Sequence, residues 1–293
     1  MMIIKENGKI KIKKQSVAGT GGQCLMTPPK LNGGDYPVIL YNLGGVIMNM
    51  IITIISIVIA LIFINTPIVF FVFSMMALSG LIVALTNGIP LKMGMINNDG
   101  SNVCELYNNK EAKIAFHNQF TIIAQTSLGI RLKDMNEELF PMPTDDGMQN
   151  SISASSAVFL ENRLMDEKRY DEALELINKL IRGNNALIGL YKSLLVADKI
   201  TILLLKREGI NIAKAYYSSA EYTAFKKQMS SNISVLRTDY AYYLLCEQSK
   251  DEALKVLSKF EERAKVHPYK PDVESERELI FLIDAKVNEI SEV

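Results

Sequence analysis

From Tyr36 to Leu91 the chain carries no Asp, Glu, Lys or Arg. A run this long and this free of charge restricts the fold more than any other feature. Val38–Ile64 exceeds the roughly 20 helical residues that cross a hydrocarbon core of about 30 Å. "NTP" at Asn65–Pro67 interrupts it, with the proline suited to the first turn of a new helix. Ile68–Thr86 makes a second span, and "NGIP" at Asn87–Pro90 ends it. The alternative is a buried helical hairpin of a soluble core, which would be unusually long and polar-free. The apolar region begins too late and runs too long for a cleaved signal peptide.

The flanks set an orientation. Lys5, Lys9, Lys11, Lys13, Lys14 and Lys30 precede the first span, and Lys92, Lys110 and Lys113 follow the second. The turn between them has no charge. The excess of lysine at both ends predicts a multi-pass protein of the cell membrane, with both termini cytoplasmic and the Asn-Thr-Pro turn outside. Lipid is then one partner.

Each span has a small or polar stripe. Asn42, Gly45, Asn49, Thr53 and Ser56 recur at helical spacing in the first, and Ser74, Ala77, Gly80, Ala84 and Asn87 in the second. Such faces bring membrane helices together. Packing accounts for the small residues. The amides of Asn42 and Asn49, costly in hydrocarbon if unpaired, also point to a functional interior.

Before the spans, "IIKENGKIKIKK" places Asn7-Gly8 between extended residues, which predicts a β-hairpin. A Gly/Pro-rich loop follows, up to residue 36. Its "GTGG" lacks the other residues of a phosphate-binding fingerprint. After Gly100 the composition becomes charged and helical. Cys104–Leu128 reads as one amphipathic helix, "FPMPTDDG" as a linker, and "SISASS" as a cap. Six or seven helices are expected from Ser151 onward. "YDEALELINKLI" at Tyr170 and "KDEALKVLSKF" at Lys250 echo each other, with Ala173 and Ala253 in matching places. Each resembles the second helix of a tetratricopeptide repeat, a unit that stacks into a solenoid with a concave binding face. A generic helical bundle is the alternative. The expected fold is therefore mainly α: a β-hairpin and loop (1–36), a membrane-embedded segment with two spans (37–105), an amphipathic helix and linker (106–150) and a helical-repeat domain (151–293).

Lys plus Arg (32) equals Asp plus Glu (32), so the chain has no general positive field for a nucleic-acid partner. Cys24, Cys104 and Cys246 are odd in number and far apart, no disulfide framework, as in a reducing compartment. The two histidines, His117 and His267, show no H-x-x-x-H spacing, and no C-x-x-C pair occurs.

Three short motifs carry a family resemblance. "GGVIMN", with Gly45 and Asn49, is similar to the G-P-x-x-N stretch of site-2-protease-like intramembrane metallopeptidases, the M50 class. "NGIP" followed by "NDG", with Asn87, Pro90, Asp99 and Gly100, resembles their N-x-x-P…D-G motif. The lysine-rich hairpin and the "GGQCLMTPP" loop look like the segment that follows the metal-binding helix in that family. The resemblance spans roughly residues 1 to 105. It implies Asp99 as a zinc ligand, with Asn49 and Asn87 near a bound substrate strand. The chain departs from the family in three places. Pro90 to Asp99 is a long spacing, the proline of G-P-x-x-N is replaced, and H-E-x-x-H, which supplies two ligands and the general base, is absent. The chain starts inside a strand and reads as the C-terminal portion of such a protease, with no cofactor and no catalytic residue of its own. Asp99 binds metal only if the missing helix is supplied. The other reading is a non-catalytic membrane anchor whose helical repeats recruit a protein or peptide. Two spans are too few for a transport path.

Overall fold

The computed structural model describes residues 2–6, 9–13, 31, 37–93, 96–207 and 209–291. Strands β1 (Met2–Glu6) and β2 (Lys9–Lys13) pair antiparallel, with Ile3 opposite Ile12. Asn7, Gly8 and the Gly/Pro-rich loop from 14 to 30 lie outside the described residues. Among the described residues there are twelve α-helices, and the protein is mainly helical.

Helices α1 (Val38–Ile62) and α2 (Pro67–Gly88) are the two apolar spans. Pro67 opens α2, where its missing N–H leaves no helical bond unmade. The second helix extends past Thr86 and takes in Asn87. Gly80 and Gly88 let the two helices approach. A β-carbon at Gly80 would lie 2.5 Å from Thr53 Oγ1 and 3.4 Å from the Asn49 backbone oxygen, and one at Gly88 would meet Val46 at 3.0 Å. Half of the residues in the expected stripes are buried, Asn42, Thr53 and Ser56 on α1 and Ala77 and Ala84 on α2, whereas Gly45 is exposed and Asn49, Ser74, Gly80 and Asn87 are partly buried. Elsewhere the pair turns large apolar side chains outward. Only 17% and 11% of their most apolar windows are buried. That separates them from core helices, and they are long and apolar enough to cross a membrane.

Strands β3 (Lys92–Met93) and β4 (Ile96–Asn97) form a minimal antiparallel pair after α2. The single amphipathic helix expected over Cys104–Leu128 is in fact two, α3 (Asp99–Leu106) and α4 (Lys110–Ser127). Asn108 takes a left-handed φ of 53°, and the Asn109 side chain accepts from the Ala112 N–H at 2.9 Å. Asparagine suits both tasks, left-handed turn and N-cap. Three hydrogen bonds sew this segment to the start of the next helix, one of them from the Ser151 N–H to Glu105 Oε2 (3.2 Å). Asn97 Nδ2 donates to Ser151 Oγ (2.9 Å), and Asn150 Nδ2 to the Glu105 carbonyl (2.8 Å). Val38, in the first turn of α1, packs with Leu106, Ala112, Phe116 and Ile152.

The remainder of the chain forms eight helices rather than six or seven: α5 (Ser151–Asp166), α6 (Tyr170–Arg182), α7 (Gly189–Lys206), α8 (Ile210–Tyr217), α9 (Ala220–Gln228), α10 (Ile233–Leu245), α11 (Lys250–Val266) and α12 (Lys270–Ser291). The extra break falls at Ser218-Ser219, where Ser219 Oγ accepts from the Tyr222 N–H. "SISASS" is the first turns of α5, not its cap. Asn150 caps α5, accepting from Ile152 and Ser153 N–H, and Ser153, Ser155 and Ser156 are buried where small side chains fit. The two sequence echoes begin α6 and α11. Each comes two positions after a residue of left-handed φ, Lys168 (63°) and Gln248 (52°), and each buries its alanine, Ala173 and Ala253. Helix α7 packs on α5, α6, α8 and α10, and α12 folds back across α4, α7 and α10.

Candidate functional site

The residues singled out by the resemblance lie at two levels of the apolar helical hairpin. Asn49 is level with Gly80. Asn87 is seven residues further along α2, about 10 Å at the helical rise. Asp99 opens α3, and its neighbour Gly100 packs on the end of α2. A β-carbon at Gly100 would lie 2.3 Å from the Gly88 carbonyl oxygen. Asn87 and Asp99 therefore share one end of the hairpin, and Asn49 sits about two turns away. Asn42 bonds its own helix, with Nδ2 donating to the Val38 carbonyl at 2.8 Å.

The polar centre of this junction is Asn98, which the sequence reading passed over. Its Nδ2 donates to the Thr86 and Ile89 carbonyls (2.7 and 2.6 Å), and its Oδ1 accepts from the Leu91 and Ser101 N–H groups (3.2 and 3.0 Å). One side chain thus ends α2, turns the chain and caps α3. Burial pushes the Asp99 carboxyl above its ordinary range. Among the described residues no three His, Cys, Asp or Glu side chains stand together to hold a metal. The residues present do not by themselves fit a zinc site.

A second concentration of chemistry lies in the helical body. A cavity of about 310 Å³ opens between α4, α5, α7, α10 and α12. Its lining mixes apolar side chains, including Ile122, Phe159, Leu194 and Leu279, with the charged Asp166, Asp198, Arg237, Asp272 and Glu276. Arg237 is 1% exposed and holds two carboxylates. Its Nε donates to Glu276 at 2.7 Å, and its other terminal nitrogens reach Asp198 and the Thr201 hydroxyl. Burial by itself would lower the pKa of Arg237, but Glu276 and Asp198 outweigh it and hold the guanidinium charged. Arg131 repeats the arrangement, bridging Asp166 of α5 and Glu278 of α12. In both cases α12 brings the second carboxylate.

The negative charge is not balanced. Glu161 is fully buried, and neither carboxyl oxygen has a partner. Burial, and then the nearby Asp198 charge, push its pKa well above the ordinary carboxylate value. Asp272 stands in the first turn of α12 and faces the cavity. Burial raises it to about 7, and the charges of Glu276 and Asp166 add to the shift. His267 also lines the cavity. Its Nδ1 lies 3.0 Å from the Tyr269 carbonyl oxygen, and burial lowers its pKa.

The sequence reading missed this site altogether. In "VLRTDYAYYLL" Arg237 looks like an ordinary surface residue on a helix, and its partners Asp198 and Glu276 are each 39 residues away. The one available signal was Arg237 on a face that also carries Ile233, Tyr240 and Ala241, all buried. The cavity thus combines four carboxylates and one buried guanidinium with apolar side chains in a single lining. No family model, no curated protein and no solved structure matches the chain.

Proposed function

We propose that this chain is a membrane-anchored binding module. Helices α1 and α2 hold it in the bilayer, and the helical body α5–α12 receives a protein or peptide partner. The observation that carries this reading is the joint between the two. Val38 packs into the core of α3, α4 and α5, and Asn98 and Gly100 fasten α2 to α3. The body is thus held beside the apolar hairpin rather than hung on a free linker. The paired left-handed turns before α6 and α11, and the buried alanines behind them, support a tetratricopeptide-like arrangement of the body. The lysine distribution supports cytoplasmic termini.

Two measurements test it. In a cysteine-free background, cysteines placed at Thr66 and Asp145, both exposed, should label from opposite sides of the membrane. Labelling from one side would overturn the topology. A photocrosslinker at Ser275, on the cavity wall, should trap a partner that one at the exposed Lys259 does not. Identical adducts from both would overturn the binding role.

One observation favours a second reading, a site-2-protease-like segment. The glycine of its D-G motif, Gly100, stands where only glycine fits. On that reading Asp99 would join an H-E-x-x-H helix supplied by another segment, with zinc as the shared metal. Purified chain should then gain one zinc per molecule on addition of such a segment, and lose it with Asp99→Ala.

A further inference from the structure

The carboxylates around the cavity outnumber the cations that serve them. Arg237 is shared by Asp198 and Glu276, and Arg131 by Asp166 and Glu278, the last of which also pairs with Lys168. No hydrogen bond or ion pair among the described residues reaches the Asp272 carboxyl, and the charges that act on it are those of Glu276 and Asp166, both like its own. Asp272 is half-buried and lines the cavity. Glu161, behind that lining, has two more unpartnered oxygens. Burying an unpaired carboxyl costs folding free energy, and a fold that does so at a cavity wall has a vacancy for positive charge.

We infer that this cavity binds an organic cation, a primary ammonium or guanidinium on an apolar stem, with Asp272 as its counter-ion. The stem is specified by the apolar part of the lining, where Ile122, Leu194 and Leu279 present hydrocarbon. A Lys or Arg side chain of a partner and a free alkylamine share this chemistry. A chelated metal does not fit, because among the described residues no three ligating side chains converge. An anion would meet four carboxylates. The inference rests on the binding-module reading for its biological sense, but the cavity chemistry stands on its own.

The test uses the full chain in detergent or nanodiscs, with calorimetric titration. The probes are n-butylamine, butanoate as its charge-reversed match, and the capped tripeptide Gly-Lys-Gly. Butylamine should bind saturably and butanoate should not. Asp272→Asn keeps the shape and removes the charge, and should weaken amine binding about tenfold or more, as for loss of one partner of a buried charge pair. Ser275→Phe should block it by filling the cavity. Without ligand, Asp272→Asn should melt higher than wild type, because an unpaired buried carboxyl is gone; this shows that lost binding is not lost folding. Tripeptide binding identifies a partner's side chain as the occupant, and binding of butylamine alone identifies a free amine. No saturable amine binding by folded wild type, equal binding by Asp272→Asn, or preference for butanoate would overturn the inference. Such a result would leave the topology and crosslinking measurements untouched.

Discussion

Gly100 lies against the carbonyl group of Gly88, where an added β-carbon would come within 2.3 Å of the oxygen. The obstacle is backbone at the end of the apolar helix α2, so it cannot turn aside as a side-chain tip could. Gly100→Ala should therefore push α3 off α2 and lower stability by about 1–3 kcal/mol. Thermal melts in detergent would measure this. Gly44→Ala, where nothing lies within 4 Å of the new carbon, is the control and should change little.

Arg237 is the only cation in contact with Asp198 and Glu276 among the described residues. Arg237→Leu should leave two buried carboxylates unpaired and cost about 3–5 kcal/mol. Arg237→Lys keeps the charge but not the planar fork that reaches two carboxylates at once, and should fall between. Chemical denaturation of the three proteins would rank them, and equal midpoints would contradict the network.

Two carboxyls with raised pKa values set a pH dependence. Glu161 and Asp272 have folded pKa values raised above their ordinary ones, the latter from 3.8 to about 7. Above the ordinary carboxylate pKa the unfolded chain releases these protons and the folded protein keeps them. The folded state then binds more protons, and stability falls as pH rises from about 4 through 7. Glu161→Gln should raise the melting temperature by several degrees at pH 7 and have little effect near pH 4. An effect of the same size at both pH values would mean that Glu161 is ionised in the fold.

Ala173 and Ala253 are 0% and 1% exposed at matching places in α6 and α11. Each faces a neighbouring helix at close range, so Ala173→Leu and Ala253→Leu should overpack the contact by about 1–3 kcal/mol each. Exposed Ala220, at the start of α9, should accept leucine with little change. Circular dichroism melts would compare the three.

The range of the forces involved decided which features were legible in the sequence. The two spans were legible because charge-free composition is a local property, and Pro67 marked the start of α2 within one residue. The small stripes of α1 and α2 were legible because helical spacing is local too. The division of α3 from α4 turned on Asn108 and Asn109, whose turn-forming character was submerged in an amphipathic pattern. Asn98 carried a legible signal, an asparagine directly before a helix start, but the neighbouring Asp-Gly drew the reading to Asp99. The cavity was not legible. Arg237, Asp198 and Glu276 belong to three helices, and nothing near any of them in the chain names the other two.

Arg131 reaches Asp166 over 35 residues and Glu278 over 147. Arg237 finds Asp198 behind it and Glu276 ahead. Each arginine thus has one carboxylate that leaves the ribosome early and one that arrives only with α12. At synthesis rates of about 5–20 residues per second, helices α5 to α11 spend some seconds as a body with its groove uncovered and two guanidiniums half neutralised. The last helix is then a closing piece whose arrival is timed by translation, and until it docks, the anionic part of the cavity lining does not exist in full.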